Sequence, residues 1–280
     1  MPSKYGDFSK CVSDILSDDY GTKKVVKSKF STEPVYGGAI NFTMENTYKP
    51  VDKTALFGKL SAKWKHKSSG FNVDKLALNT NGSVNGEMSI SKLPLPGATL
   101  KFAGTSAKTG DVTCEFKNNF NYTIVKVNNK MNTTLSSVAA SNGGTIGGQL
   151  AVADGKLKSY EFAVGYGTSA YFASMRSFEK MAKLALAGMY KIPAQPVTMA
   201  AELALDVSSD AKMGDASLGM IYKLNDKASI KAKYVSSKDS TVEAAASYNC
   251  LSKVDLLLSL ALPIQSPTDK YKTGCSLTLG

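Results

Sequence analysis

The stretch Lys227-Ala228-Ser229-Ile230-Lys231-Ala232-Lys233-Tyr234 alternates without a break between polar and apolar residues. Side chains two apart share one face of a strand, so Ala228, Ile230, Ala232 and Tyr234 form an apolar face. Lys227, Ser229, Lys231 and Lys233 form a charged one. The pattern recurs on both sides of this segment. Ile40, Phe42 and Met44 alternate with Asn41, Thr43 and Glu45, and Leu56, Gly58, Leu60, Ala62 and Trp64 with Phe57, Lys59, Ser61, Lys63 and Lys65. Val84, Gly86, Met88 and Ile90 oppose Asn85, Glu87 and Ser89; Val112, Cys114 and Phe116 oppose Thr113, Glu115 and Lys117. Val197, Met199, Ala201, Leu203 and Leu205 oppose Thr198, Glu202 and Asp206. Turn signals punctuate the alternation: Asn81-Gly82, Pro96-Gly97, Thr109-Gly110-Asp111, Asn128-Asn129, Asn142-Gly143-Gly144, Asp154-Gly155, Gly214-Asp215, Asn225-Asp226 and Ser237-Lys238-Asp239. From Lys23 to Leu279 this punctuation predicts about 19 strands spaced roughly 13 to 14 residues apart, the repeat of tilted strands about 9 to 11 residues long joined by hairpins.

A soluble β-sandwich also alternates, but so many uniform hairpins exceed one sandwich. An open sheet of that size leaves long edges or curls. Closure into a wide barrel removes the edges, leaves a polar lumen and turns the apolar face outward, which is stable only in lipid. Nowhere do about 18 apolar residues run together, the segment from Leu256 to Ile264 being the nearest approach, so no transmembrane helix is predicted. The chain is read as an all-β transmembrane barrel of about 19 strands.

Before the alternation begins the period is different. Tyr5, Phe8, Val12, Ile15 and Leu16 recur at three- and four-residue steps, with Asp7, Lys10, Asp14 and Asp18 between them. This predicts an amphipathic helix from Tyr5 to about Asp19, stopped near Tyr20-Gly21 and too short to span a membrane. On its spacing alone such a helix lies on a surface or a membrane. The chain thus divides into residues 1–22, helix and hinge, and 23–280, barrel. Met1-Pro2-Ser3-Lys4 lacks the apolar stretch of a secretory signal, and Asp7, Asp14, Asp18 and Asp19 do not suit an acidic-poor transit peptide.

The 280 residues carry 34 basic and 23 acidic side chains, a net charge of +11, and Arg176 is the one arginine. A nucleic-acid binder leans on arginine and gathers its charge on one face. Here lysines are spread along the chain, so nucleic acid is not an expected partner. In a barrel the polar face is the lumen, which makes Lys59, Lys63, Lys101, Lys227, Lys231, Lys233 and Lys272 candidates for a positive bore that concentrates anions. Glu45, Glu87, Glu115, Glu202 and Glu243 temper it. His66, between Lys65 and Lys67, reads as a loop residue. Neither a glycine-rich phosphate loop nor a nucleophile elbow is present, and Cys11, Cys114, Cys250 and Cys275 are too far apart for a zinc or redox motif. Catalytic residues, metal ligands and cofactors are therefore not expected.

Tyr5-Gly6-Asp7-Phe8-Ser9-Lys10, followed by Asp14-Ile15-Leu16 and Tyr20-Gly21, resembles the opening of the mitochondrial voltage-dependent anion channels. Phe162-Ala163-Val164-Gly165-Tyr166 is similar to an internal strand of that family, and Lys272, Gly274, Leu277 and Leu279 fit its C-terminal insertion signal. The resemblance implies a voltage-dependent, weakly anion-selective pore of the mitochondrial outer membrane, passing ions, ATP, ADP and small anionic metabolites by diffusion. It implies that Tyr5, Asp7, Phe8, Lys10, Val12, Ile15 and Leu16 form a gating helix inside the lumen, apolar side to the wall, where Phe57 on the polar face of its strand is a candidate contact. Lys10 and Lys101 are its implied nucleotide contacts. Membrane lipid, a second copy of the chain and other mitochondrial membrane complexes are the implied partners. Asp18 and Ser13 stand where animal members carry a lysine and an arginine, so the helix here is net acidic. Gly97-Ala98-Thr99-Leu100-Lys101 keeps the lysine of a family element with altered spacing, and the family's membrane-facing glutamate has no clear counterpart near Asp74-Lys75. Two rival readings are the pore subunit of the outer-membrane protein translocase, expected to carry a longer N-terminal extension, and a soluble basic β binding module.

Overall fold

In a computed structural model, residues 2–34, 38–48, 56–66, 68–106, 109–207, 212–237, 240–251, 253–265 and 270–280 are described. A 3-10 turn, Tyr5–Asp7, leads into α1, Lys10–Leu16. The strands that follow are β1 Lys24–Ser31, β2 Ile40–Tyr48, β3 Leu56–Lys65, β4 Phe71–Asn79, β5 Val84–Ile90 and β6 Ala98–Thr105. Next come β7 Gly110–Lys117, β8 Asn121–Asn128, β9 Thr133–Ser141, β10 Gly144–Ala153, β11 Lys156–Gly167 and β12 Tyr171–Phe178. The last seven are β13 Lys183–Lys191, β14 Val197–Asp206, β15 Lys212–Lys223, β16 Ala228–Ser236, β17 Thr241–Leu251, β18 Val254–Pro263 and β19 Lys272–Leu279.

Each strand pairs antiparallel with its sequence neighbour, and β1 closes on β19 in parallel, giving one 19-stranded barrel. The odd count requires that seam: strands alternate up and down, so the first and last of an odd set run the same way. Closure leaves no strand edge unpaired.

Register decides which face each residue takes. Lys27, Glu45, Lys59 and Asn79 lie abreast on β1 to β4. Ile221, Lys231, Ala245, Ser259 and Gly274 lie abreast on β15 to β19. Both rows face inward. The outward rows are apolar and open to the surroundings: Leu60, Leu78, Leu186, Leu218, Ile230 and Leu258 are all at least a third exposed. Phe30 stacks on Phe42 with ring centroids 5.1 Å apart, and Tyr171 pairs with Tyr190. Rings near strand ends on an outward face are what a membrane interface favours. Among the described residues, no helix is long and apolar enough to cross a membrane.

Three details differ from the sequence expectation. The α-helix stops at Leu16 and continues as a turn, in which Asp19 takes φ 74°. Gly214-Asp215 lies inside β15 and is not a turn. Of the proposed turn at Ser237, Lys238 and Asp239 lie outside the described residues.

Candidate functional site

The buried apolar residues gather under the N-terminal segment, which acts as a strap laid along the lumen wall. Tyr5, Phe8, Val12, Ile15 and Leu16 are each at most 5 % exposed. Val12, Ile15 and Leu16 close over Ala187 and Ala200, with Cys11, Phe172, Met189 and Ile221 around them. Tyr5 and Phe8 close over Val138 and Ala163. Removing each such side chain from lumen water contributes about 1.5–3 kcal/mol. The contact is possible because the wall beneath is cut back to glycine and alanine. A Cβ on Gly147 would lie 3.1 Å from Tyr5 Cδ2, one on Gly165 3.0 Å from Phe8 Cε1, and one on Gly219 2.7 Å from Leu16 Cδ2. A Cβ on Gly274 would run into the Gly21 carbonyl.

Polar groups hold the two ends. At the start, the Arg176 guanidinium sits 4.9 Å from the Tyr5 ring centroid and 4.7 Å from that of Phe178, with Glu161 at 3.9 Å. Burial raises the Tyr5 phenol above its ordinary pKa, and the neighbouring Arg176 charge offsets part of that rise. Lys4 Nζ lies 3.1 Å from Glu115 Oε1, which Lys101 also reaches at 2.7 Å, while the Tyr122 hydroxyl donates to Oε2 at 2.7 Å. At the far end, Lys231 Nζ is 2.7 Å from Asp19 Oδ2 and Lys233 Nζ is 3.1 Å from Glu243 Oε2.

The candidate lumen residues therefore fall into distinct settings. Lys59 and Lys63 project into the bore from β3, abreast of Glu45 and Asn41 respectively. Lys101 is bound to Glu115, and Lys231 and Lys233 are turned to the strap and its neighbours. Lys227 lies in the turn between β15 and β16. Lys272 faces inward, abreast of Ala261 and, beyond it, Glu243. Lys10 is exposed and pairs with Asp14 at 2.7 Å, and Asp7 is exposed beside it. Gly274 is inward, whereas Leu277 and Leu279 are outward and pair across the seam with Val26 and Ser28. Phe57 faces the lumen at 37 % exposure, but α1 packs on β13, β14 and β15, far around the barrel from β3. Its proposed helix contact is not made.

Sequence reading passed over Arg176, Tyr122 and Ser259. Arg176, as the one arginine in a lysine-rich chain, carried a signal: guanidinium stacks on rings and is weakly hydrated, which suits a clamp beneath a buried tyrosine.

A closed barrel with an apolar exterior, a charged interior and an internal strap defines a membrane pore. The chain belongs to the eukaryotic porin family, whose profile matches residues 1–274. No curated protein matches the chain. Among solved structures, a triple mutant of the Rhodopseudomonas blastica porin superposes with a TM-score of 0.51 at 8% identity, covering 87% of this chain and 97% of that one. A second mutant of the same porin gives 0.50 at 9% identity, covering 86% and 96%. At such identities these two share only the fold. The protein is a pore-forming channel, and the resemblance read from its first residues is to the family it belongs to.

Proposed function

We propose that this porin is a voltage-dependent, weakly anion-selective channel of the mitochondrial outer membrane, through which inorganic anions, ATP, ADP and small anionic metabolites diffuse. The observation that supports it is the uncovered wall formed by β1 to β3. There Lys27, Lys29, Lys59 and Lys63 face the bore, with Glu45 as the carboxylate among them. Lys27 lies 3.5 Å from Glu45, and Lys59 and Lys63 have no ion-pair partner among the described residues. An excess of fixed positive charge on a wet wall raises the local anion concentration, within a screening length of about 8 Å at physiological salt. In a wide bore that gives a bias and not a filter.

Lys10 and Lys101 serve as weak nucleotide contacts in this reading, because Asp14 and Glu115 already neutralise them. The strap from Tyr5 to Leu16 is the gating element, and Lys272, Gly274, Leu277 and Leu279 form the insertion signal. Reconstitution into a planar bilayer with a salt gradient tests the proposal. The reversal potential should show anion preference, and Lys59→Glu with Lys63→Glu should move it toward cations. No anion preference in the unaltered protein would refute it.

A further inference from the structure

Lys231 and Lys233 fit the pattern of pore-lining lysines, yet their side chains are only 12 % and 13 % exposed. Both ammonium groups are aimed at the C-terminal end of the strap. Lys231 Nζ donates to the Asp14 carbonyl at 2.7 Å and, at the same distance, meets the Asp19 carboxylate. The last carbonyls of a helix lack intrahelical partners and carry partial negative charge, so a cation placed there meets two attractions at once. Lys233 Nζ lies 4.5 Å from the ring centroid of Tyr20, which is 7 % exposed and whose hydroxyl donates to the Ile15 carbonyl at 3.0 Å. One residue further on, Ser259 Oγ donates to the Gly21 carbonyl at 2.5 Å, in the space that Gly274 leaves free. β16, β18 and β19 thus grip the segment from Asp14 to Gly21, where the strap joins the barrel.

We propose that Lys231 and Asp19 form a latch, supported by Lys233 beneath Tyr20, that positions the strap against the wall and holds the pore open. Lys231 is a positioning residue: its charge acts on Asp14 and Asp19, not mainly on passing ions. A shielded lysine with a carboxylate at 2.7 Å presents little net field to the bore. The latch's effect on opening rests on the proposed reading of the strap as the gating element, whereas the docking of the strap rests on the contacts of Lys231, Lys233 and Ser259 alone.

The two partners have opposite charges, and that separates a latch from a selectivity site. Lys231→Met and Asp19→Asn change the lumen charge by one unit in opposite directions. Each is made in full-length protein carrying a nitroxide at Ser17→Cys, with the four native cysteines replaced by serine. Electron paramagnetic resonance then reads strap mobility in lipid nanodiscs. The latch predicts that both variants lose the immobilised component of the spectrum and that Lys231→Arg, which keeps a donor for the Asp14 carbonyl and a positive charge for Asp19, retains it. In planar bilayers both single variants should close at lower voltage. A label that stays immobilised in both variants overturns the latch. So does a strap that one variant loosens and the other does not. Asp19 lies outside the barrel strands, so its variant remains informative if Lys231→Met fails to insert. The resonance measurement does not depend on conductance, so loss of the anion-channel reading would leave this result standing.

Discussion

The wall between β9 and β19 and the wall between β1 and β8 are built from the same alternating strands, but they differ on the inner face. Under the strap, inward positions hold Gly147, Ala163, Gly165, Ala187, Ala200, Gly219, Ala245 and Gly274. On the bare arc they hold Lys27, Lys29, Lys59, Lys63, Lys75, Glu87 and Lys126, while Glu115 at its edge joins Lys101 to Lys4 of the N-terminal segment. Water solvates the second set directly. A packed helix demands the first, because a Cβ or a long side chain there would meet Tyr5, Phe8 or Leu16. Small inward residues beneath Tyr5, Phe8 and Leu16 therefore mark the covered surface, and charged ones without a strap partner the open path.

Outside, the two arcs should be indistinguishable, since both face lipid. Ile230→Lys on the covered arc and Leu60→Lys on the bare arc should each destabilise the inserted barrel by about 2–4 kcal/mol if they sit near the midplane. Folding into vesicles against urea measures this. Ser229→Lys, on the inner face, should be tolerated. A large difference between the two outward substitutions would mean that something other than lipid covers one arc.

Inside, the arcs should diverge. Gly219→Leu forces a side chain against Leu16 and should cost the docked strap about 1–3 kcal/mol, seen as faster cleavage within the first 20 residues by protease. Ala103→Leu, inward on the bare arc, has no strap to meet and should leave cleavage unchanged. Equal effects would erase the distinction between covered and open wall.

A smaller loss is expected from Arg176→Ala, which removes the cation from between Tyr5 and Phe178. Cation–π contacts contribute about 0.5–2 kcal/mol, so the strap's first turn should loosen while its far end remains docked. Nitroxide mobility compared at Ser3→Cys and Ser17→Cys separates the two ends. Smallest of all is the effect of Lys59→Gln with Lys63→Gln, which leaves packing intact. The reversal potential should shift modestly toward cations at 0.1 M salt, where screening acts over about 10 Å, and hardly at 1 M, where it acts over about 3 Å.

Residues such as Ile230, Lys59 and Leu60 were legible from the chain alone. A period of two assigns each to lipid or lumen with no knowledge of its neighbours, and the spacing of turns, read beside the family resemblance, puts the number of strands at about 19. The helical spacing of Tyr5, Phe8, Val12, Ile15 and Leu16 likewise announced one apolar stripe that had to be buried. The alternation could not say where on the wall that stripe would settle, so Phe57, its candidate contact, lies away from it and Arg176 was missed. Nor could it separate Lys59, which stands in the bore, from Lys231, which is bound to Asp19 and the Asp14 carbonyl. Periodicity is a property of a few consecutive residues, whereas the setting of a charge depends on what the closed barrel brings beside it from the other end of the chain. Facing thus came from sequence, and the strand count from turn spacing together with the family resemblance; the seam between β1 and β19, the seat of the strap and the division of lysines into free and paired were decided by tertiary structure, through contacts that no local pattern encodes.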